Sequence, residues 1–227
     1  MKEPVVIARQ LERHFVRGAE TVRALDGVDL DVRAGELLAI VGPSGSGKST
    51  LLYLLAGLDR PTGGELRLFG ERREALTEKA LVELRRHQIG FVFQRFHLMS
   101  ALSVRENVLL PNLFARRTMS AEQGRTILGR VGLLELADRP IDELSNGARQ
   151  KVAIARALVG DPQLLVADEP SARLDRQEAS EVAELLRRIA DDGVAVVVAT
   201  HDEVIAARAH RALHIRSGRW EESTRER

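Results

Sequence analysis

Three short runs of this chain are apolar at every position: Leu37–Val41 (LLAIV), Leu164–Ala167 (LLVA) and Val194–Ala199 (VAVVVA). A strand with one wet face alternates in polarity, whereas a strand covered on both faces has no reason to. The three runs therefore predict inner strands of a parallel sheet flanked by helices. Helical patterns lie where such a sheet needs its crossovers: Ser49–Ala56 closed by Gly57, Leu76–His87, Glu122–Val131, Ser145–Val159 and Asp175–Ala190. The last two open on good N-cap residues. Three further segments do alternate and read as half-buried strands: Val5–Arg9, then Val28, Leu30 and Val32 between charged neighbours, then Leu66 and Leu68. The expected fold class is α/β. From about 95 to 159 there are helix patterns and turns but no convincing strand. The organisation expected is a core built from about 1–94 and 160–220, a helical insertion between them, and a charged tail at 221–227.

Composition narrows the function classes. The 227 residues carry 34 Lys plus Arg against 33 Asp plus Glu, a net charge of +1, which argues against a general polyanion binder. Aromatic residues, at 4%, are too few for a row of base-stacking platforms. With no cysteine, disulfides, thiolate metal sites and thiol nucleophiles are excluded. A hydrophobic content of 44% excludes a disordered chain. No apolar stretch approaches the roughly 20 residues of a spanning helix, and the Met-Lys-Glu-Pro start shows no secretory signal. A single-core, soluble, intracellular protein is expected.

Directly after Leu37–Val41 comes GPSGSGKS, residues 42–49, which fits G-x-x-x-x-G-K-[ST] in full and leads into an apolar helix. Gly42, Gly45 and Gly47 let the backbone curl so that successive N–H groups converge on phosphate oxygens. The helix N-terminus adds its positive end. Lys48 supplies a full charge for the β- and γ-phosphates, and the Ser49 hydroxyl is a Mg²⁺ ligand. The candidate nucleotide-binding set here is Gly42, Pro43, Ser44, Gly45, Ser46, Gly47, Lys48, Ser49 and Thr50. A plain strand-to-helix turn would not require lysine at that place, and this chain has only four.

A Mg²⁺-triphosphate site needs acids. The run Leu164–Ala167 ends in Asp168 and Glu169, and ligands of open α/β sheets bind beyond the carboxyl ends of strands. Asp168 is the candidate metal carboxylate, and Glu169 the group that polarises the attacking water. The run Val194–Ala199 leads to Thr200-His201-Asp202, delivering the His201 imidazole to the same edge as a γ-phosphate contact. Gln94 follows Ile89–Phe93 in the same way, and its amide is placed to sense Mg²⁺ or water. Alone, the Asp168-Glu169 pair, His201 and Gln94 would each read as a turn, capping or surface feature.

Taken together, these residues resemble the nucleotide-binding subunit of ABC transporters. LSNGARQKVAIARAL (Leu144–Leu158) is similar to that family's signature segment, some twenty residues before Asp168. From Phe15 to His201 the family's order holds: adenine-stacking aromatic, Walker A, Q-loop, signature, Walker B, D-loop (Ser171–Asp175) and H-loop histidine. The strings VRALDGVDLDVRAGELLAIVGPSGSGKSTLLYLLAGLDRPTGGEL, IGFVFQRFHLMSALSVRENVLLP and VGLLELADR resemble one subgroup, the ATPases of lipoprotein-release and macrolide-efflux exporters. The resemblance implies a P-loop core with an antiparallel β subdomain and an inserted α-helical subdomain. It also implies ATP and Mg²⁺, and hydrolysis coupled to transport. Two subunits would close head to tail, with Ser145, Asn146 and Gly147 binding the partner's ATP. A transmembrane permease would dock near the Q-loop at Phe96, Leu98, Met99 and Leu102. Nucleic acid is not an expected partner, and the site of action would be the cytoplasmic face of the cell membrane, reached through the permease.

Departures accompany the matches. Asn146 stands for the first signature glycine, Ala148 for the glutamine and Lys151 for the usual arginine of the helix. Asn146 can adopt left-handed geometry nearly as glycine does. Binding in trans is expected to survive in weakened form. Arg173, bulky for the D-loop, either makes a charge contact across the dimer seam or faces solvent. Phe15, tyrosine more often in the family, either stacks on adenine or belongs to the core. Competing readings are a soluble ABC ATPase acting on nucleic acid or ribosomes, and a module that binds ATP without hydrolysing it.

Overall fold

The computed structural model describes residues 3–18, 20–115 and 121–221. Its strands are β1 (Pro4–Arg17), β2 (Glu20–Arg33), β3 (Leu37–Val41), β4 (Gly63–Leu68), β5 (Glu71–Arg72), β6 (Ile89–Val92), β7 (Leu164–Asp168), β8 (Ala195–Thr200), β9 (Arg211–Arg216) and β10 (Arg219–Trp220). Its α-helices are α1 (Lys48–Leu55), α2 (Glu78–His87), α3 (Val104–Ala115), α4 (Ala121–Arg130), α5 (Asn146–Leu158), α6 (Arg176–Asp191) and α7 (Glu203–Arg208). One sheet has the order β10-β9-β3-β8-β7-β6, and the other β2-β1-β4-β5. In the first, β9, β3, β8, β7 and β6 are parallel; the second is antiparallel throughout. This is the α/β class that the sequence predicts.

The three unbroken apolar runs are β3, β7 and β8, and their residues divide by parity between two hydrophobic clusters. Leu38, Ile40, Leu164, Val166, Ala195, Val197 and Ala199 face α1 and the antiparallel sheet. Leu37, Leu165, Ala167, Val196 and Val198 face a second cluster built from α3, α5 and α6. Both faces of each strand are dry, so alternation would expose nothing and is not selected. Burying each Val or Leu contributes about 1.5–3 kcal/mol.

Strand β1 runs to Arg17, well beyond the expected Val5–Arg9. The alternation of buried positions slips from Val6 and Ala8 to Leu11 because Gln10, at φ 46°, forms a bulge. The Gln10 backbone N–H and side-chain amide both donate to the Asp29 carboxylate, at 2.9 and 2.6 Å. Strand β9 carries no apolar run because only Ile215 is fully buried, so periodicity does not announce it. Helix α3 contains Pro111 and gives a broken helical pattern. Helix ends otherwise fall within two residues of expectation, and the caps are Thr77, Ser145 and Asp175. Of the expected charged tail, residues 222–227 lie outside the described residues.

Candidate functional site

The phosphate loop joins β3 to α1, and its glycines are needed at specific points. A Cβ on Gly42 would stand 2.2 Å from the Ile215 carbonyl oxygen, and one on Gly47, at φ 107°, would stand 2.3 Å from that of Ala24. Gly45, at φ 77°, faces open space. Helix α1 begins without a side-chain cap and without an acidic residue in its first turn, which leaves its positive end uncompensated. The Ser46 hydroxyl is buried with no partner, the mark of a cradle for an acceptor-rich ligand.

Three strand ends bring the reactive groups to this loop. Lys48, 6% exposed, donates to the carbonyls of Gly42 (2.7 Å) and Pro43 (3.1 Å) and lies 3.3 Å from Glu169 Oε1. The Ser49 hydroxyl donates to Asp168 Oδ1 at 3.1 Å. Burial pushes the Asp168 carboxyl above its ordinary range, with the Ser49 bond opposing. Glu169 follows β7 in the left-handed region, at φ 46°, held by its N–H to the Ala199 carbonyl at 2.8 Å. A non-glycine residue there is strained, as active-site residues often are. From the end of β8, His201 sets Nδ1 2.8 Å from Glu169 Oε2 and donates its backbone N–H to the same oxygen at 3.3 Å.

Gln94 leaves the same sheet edge two residues after β6, whose Val92 is in register with Ala167 of β7. It is exposed and makes no side-chain hydrogen bond among the described residues. Phe15 lies on β1 with the Arg13 guanidinium 4.4 Å from its ring centre, and it belongs to neither hydrophobic cluster, which removes the core reading. Thr50, within α1, is half-buried, and Pro43 and Ser44 complete the loop.

The signature turn lies elsewhere in the molecule. Ser145 caps α5, its hydroxyl accepting from the Ala148 N–H at 3.2 Å. The Gly147 N–H donates to Glu178 Oε1 of α6 at 2.9 Å, and the Asn146 side-chain amide donates to the Arg173 carbonyl at 3.1 Å. Asn146 is the first residue of α5 and is not left-handed, so the glycine-like geometry open to it is not used. Helical φ suits any residue at N1, so asparagine needs no special conformation there. Lys151 pairs with Glu181 of α6 at 2.6 Å, which holds the Glu181 carboxyl below its ordinary range. The Arg173 side chain is exposed.

A cavity of about 550 Å³ is lined by residues of α2, β6, α3 and α5. Phe91, Phe93, His97, Leu110 and Pro111 line it, and an aromatic file leads to it from α1: Tyr53 to Phe91 at 5.7 Å, Phe91 to Phe93 at 4.4 Å, Phe93 to His97 at 5.3 Å. Of the docking residues expected from sequence, Leu98 packs on the core, Phe96 and Leu102 are partly buried, and Met99 is half exposed. None of these four lines the cavity.

Two residues that order this segment escape sequence reading. Arg156 donates to the carbonyls of His97 (2.5 Å) and Phe96 (2.7 Å), and burial lowers its pKa from the ordinary arginine value. Asn107, 0% exposed, accepts from the Met99 N–H and donates to the carbonyls of Met99, Leu102 and Ser103. An asparagine in the first turn of a helix gives no hint of such a role until the loop is seen wrapped around it.

A glycine-curled loop at an uncapped helix start, facing two acids and a histidine from neighbouring strand ends, defines a P-loop nucleoside triphosphatase. The family model described as ABC transporter matches residues 25–172. The chain is 43% identical over 220 residues to the macrolide export ATP-binding/permease protein MacB 1 of Aeromonas hydrophila subsp. hydrophila, covering 96% of this chain and 34% of that protein. Identity and coverage are the same for the MacB protein of Bradyrhizobium diazoefficiens. The chain thus spans about a third of the length of the curated relatives it matches. The dimeric post-hydrolysis state of the ATP-binding cassette MJ0796, bound to ADP and Pi, superposes with a TM-score of 0.85 at 37% identity, over 96% of this chain and 97% of that one. CbiO1 of Clostridium perfringens, part of the ABC transporter complex CbiONQ, gives 0.86 at 29% identity, over 97% of this chain and 88% of that one. The chain belongs to the ABC transporter family, as an ATP-binding and ATP-hydrolysing cassette. The comparisons give no support to the nucleic-acid or ribosome reading.

Proposed function

We propose that this cassette energises a membrane permease of the exporter or lipoprotein-release type, and that ATP closes two copies head to tail. One observation carries the dimer. Lys48, Ser49, Asp168, Glu169 and His201 converge at one sheet edge, yet among the described residues no hydrogen bond or ion pair joins them to Ser145, Asn146 or Gly147. Two half-sites on one chain become two whole sites under two-fold symmetry.

The donor set fits Mg²⁺, which favours one or two protein oxygens plus substrate phosphates. Ser49 and Asp168 are such a pair, and among the described residues no group of three or more His, Cys, Asp or Glu gathers to cage a metal. Gln94 is a third oxygen from the same edge. When bound, Mg²⁺ supplies neutralising charge to the β- and γ-phosphate oxygens. Lys48 exchanges the Gly42 and Pro43 carbonyls and Glu169 for the incoming phosphate oxygens. Glu169, so released, takes a proton from a water as that oxygen bonds to the γ-phosphorus and the bond to ADP breaks. His201 holds the Glu169 carboxylate through Nδ1 and the backbone N–H. Phe15 offers the ring face opposite Arg13 to the adenine.

The permease reading rests on the relatives, named as ATP-binding/permease proteins or as part of a transporter complex. In this reading the cassette reaches the membrane's inner face through the permease; no described helix is long and apolar enough to cross a membrane. The groove beside Phe93 and His97 is its seat, with Phe96, Leu98, Met99 and Leu102 as the adjoining rim. The test is Glu169→Gln in saturating Mg-ATP on size-exclusion chromatography: a dimer supports the composite site, and a monomer removes it.

A further inference from the structure

The two helix starts that would face one triphosphate differ in an unexpected way. Helix α1 has no cap and no first-turn acid. Helix α5 is satisfied from within its own chain: Ser145 Oγ takes the Ala148 N–H, and Glu178 Oε1 takes the Gly147 N–H. Glu178 lies in the first turn of α6, three residues after its cap Asp175, where a capping-box glutamate would turn back to the N–H of its own helix. Its carboxylate instead crosses to α5. Two bonds fix it there: its own N–H to Asp175 Oδ1 at 2.8 Å, and the tie from the Asn146 amide to the Arg173 carbonyl, which draws the start of α6 towards the signature turn. The contact is close enough that a Cβ on Gly147 would stand 2.9 Å from Glu178 Oε1.

We infer that Glu178 is a positioning residue of the signature half-site, an internal anion that the partner's ATP must displace from the Gly147 N–H before the dimer closes. This rests on the composite-site reading above. A carboxylate on that N–H is an acceptor of the same charge sign as a phosphate, so the two cannot share it, and the unmoved carboxylate repels the triphosphate. Glu178 thereby stabilises the open subunit and raises the ATP concentration at which two copies close.

The test uses the full chain with Glu169→Gln, alone and combined with Glu178→Gln or Glu178→Ala. ATP-dependent dimerisation is followed by light scattering and nucleotide-free stability by thermal melting. A hydrogen bond to a charged group, converted to a binding ratio, corresponds to roughly a tenfold or greater fall in the ATP needed for half-maximal dimerisation. Both Glu178 changes are expected to produce that fall, while Glu178→Ala lowers the nucleotide-free melting temperature. Opposite signs in the two readouts separate competition from a merely structural role, in which both would worsen together. With the Glu169 codon restored, KM for ATP should fall with kcat changed far less. An unchanged or higher ATP requirement in both Glu178 variants, with Glu169→Gln alone still dimerising, overturns this inference and leaves the composite site standing. Failure of Glu169→Gln alone to dimerise overturns both.

Discussion

His201 Nδ1 stands 2.8 Å from Glu169 Oε2, and the His201 backbone N–H reaches the same oxygen at 3.3 Å. The other carboxylate oxygen, Oε1, faces Lys48 at 3.3 Å. Glu169 is thus held from both sides, in a strained backbone conformation, with one oxygen on the histidine and the other on the lysine that the proposed phosphate site would draw away. Replacing Glu169 by Gln keeps the shape and removes the proposed base, so kcat is expected to fall by roughly 10²–10⁴-fold. His201→Ala only frees the carboxylate to wander and costs less, roughly 10–100-fold. Steady-state phosphate release from the two variants checks the order; a larger loss from His201→Ala would reverse the assignment.

Asp168 is 5% exposed, and burial raises its pKa above the ordinary carboxylate value. The folded protein therefore keeps this proton to higher pH than the unfolded chain does. Stability falls as pH rises from the ordinary carboxylate range through the raised value, and the full cost is present above it. Asp168→Asn retains an oxygen for the Ser49 hydroxyl and removes the cost. The expected outcome is a higher melting temperature at neutral pH, measured with chelator and without nucleotide, with the gain vanishing under acid conditions. Mg²⁺-dependent hydrolysis falls roughly 100-fold or more, the scale of the several kcal/mol a bound metal supplies. A variant less stable than its parent at neutral pH would contradict the account.

Asn107 holds the turn that carries Met99 and Leu102 by four hydrogen bonds from a fully buried position. Asn107→Ala strands those backbone groups and is expected to cost about 2–4 kcal/mol. Urea unfolding measures this directly, and a loss below about 1 kcal/mol would mean the turn is held by something else.

Much of this was legible in the sequence, for reasons the structure makes plain. The runs LLAIV, LLVA and VAVVVA lack alternation because β3, β7 and β8 divide their side chains between two dry clusters. Lys48, Asp168, Glu169 and His201 stand out because each follows such a run, and a strand end is a fixed place in an α/β sheet. The length of β1 was hidden by one bulged residue, Gln10, which shifts the phase of the alternation. Strand β9 was hidden because an exposed face needs no apolar residues. Arg156, Asn107 and Glu178 act on partners 59 and 60, 4 to 8, and 31 positions away. Most such pairings have no periodicity, and even Asn107, closest of the three, serves backbone groups of a loop rather than a neighbour on its helix. Only the folded chain displays them.

In the proposed head-to-tail dimer, each active site takes its phosphate loop from one copy and its signature turn from the other. Two inactive proteins test it: one carrying Lys48→Ala, the other Ser145→Glu, which sets a negative charge at an exposed signature position. Each alone should hydrolyse ATP at background rate. In a head-to-tail pair of the two, both lesions fall in one site and the other site is intact. An equal mixture should then recover up to about a quarter of the parent's ATPase activity, because half of the random pairs are mixed and each has one whole site. Activity in the mixture no greater than that of either variant alone would contradict the composite site.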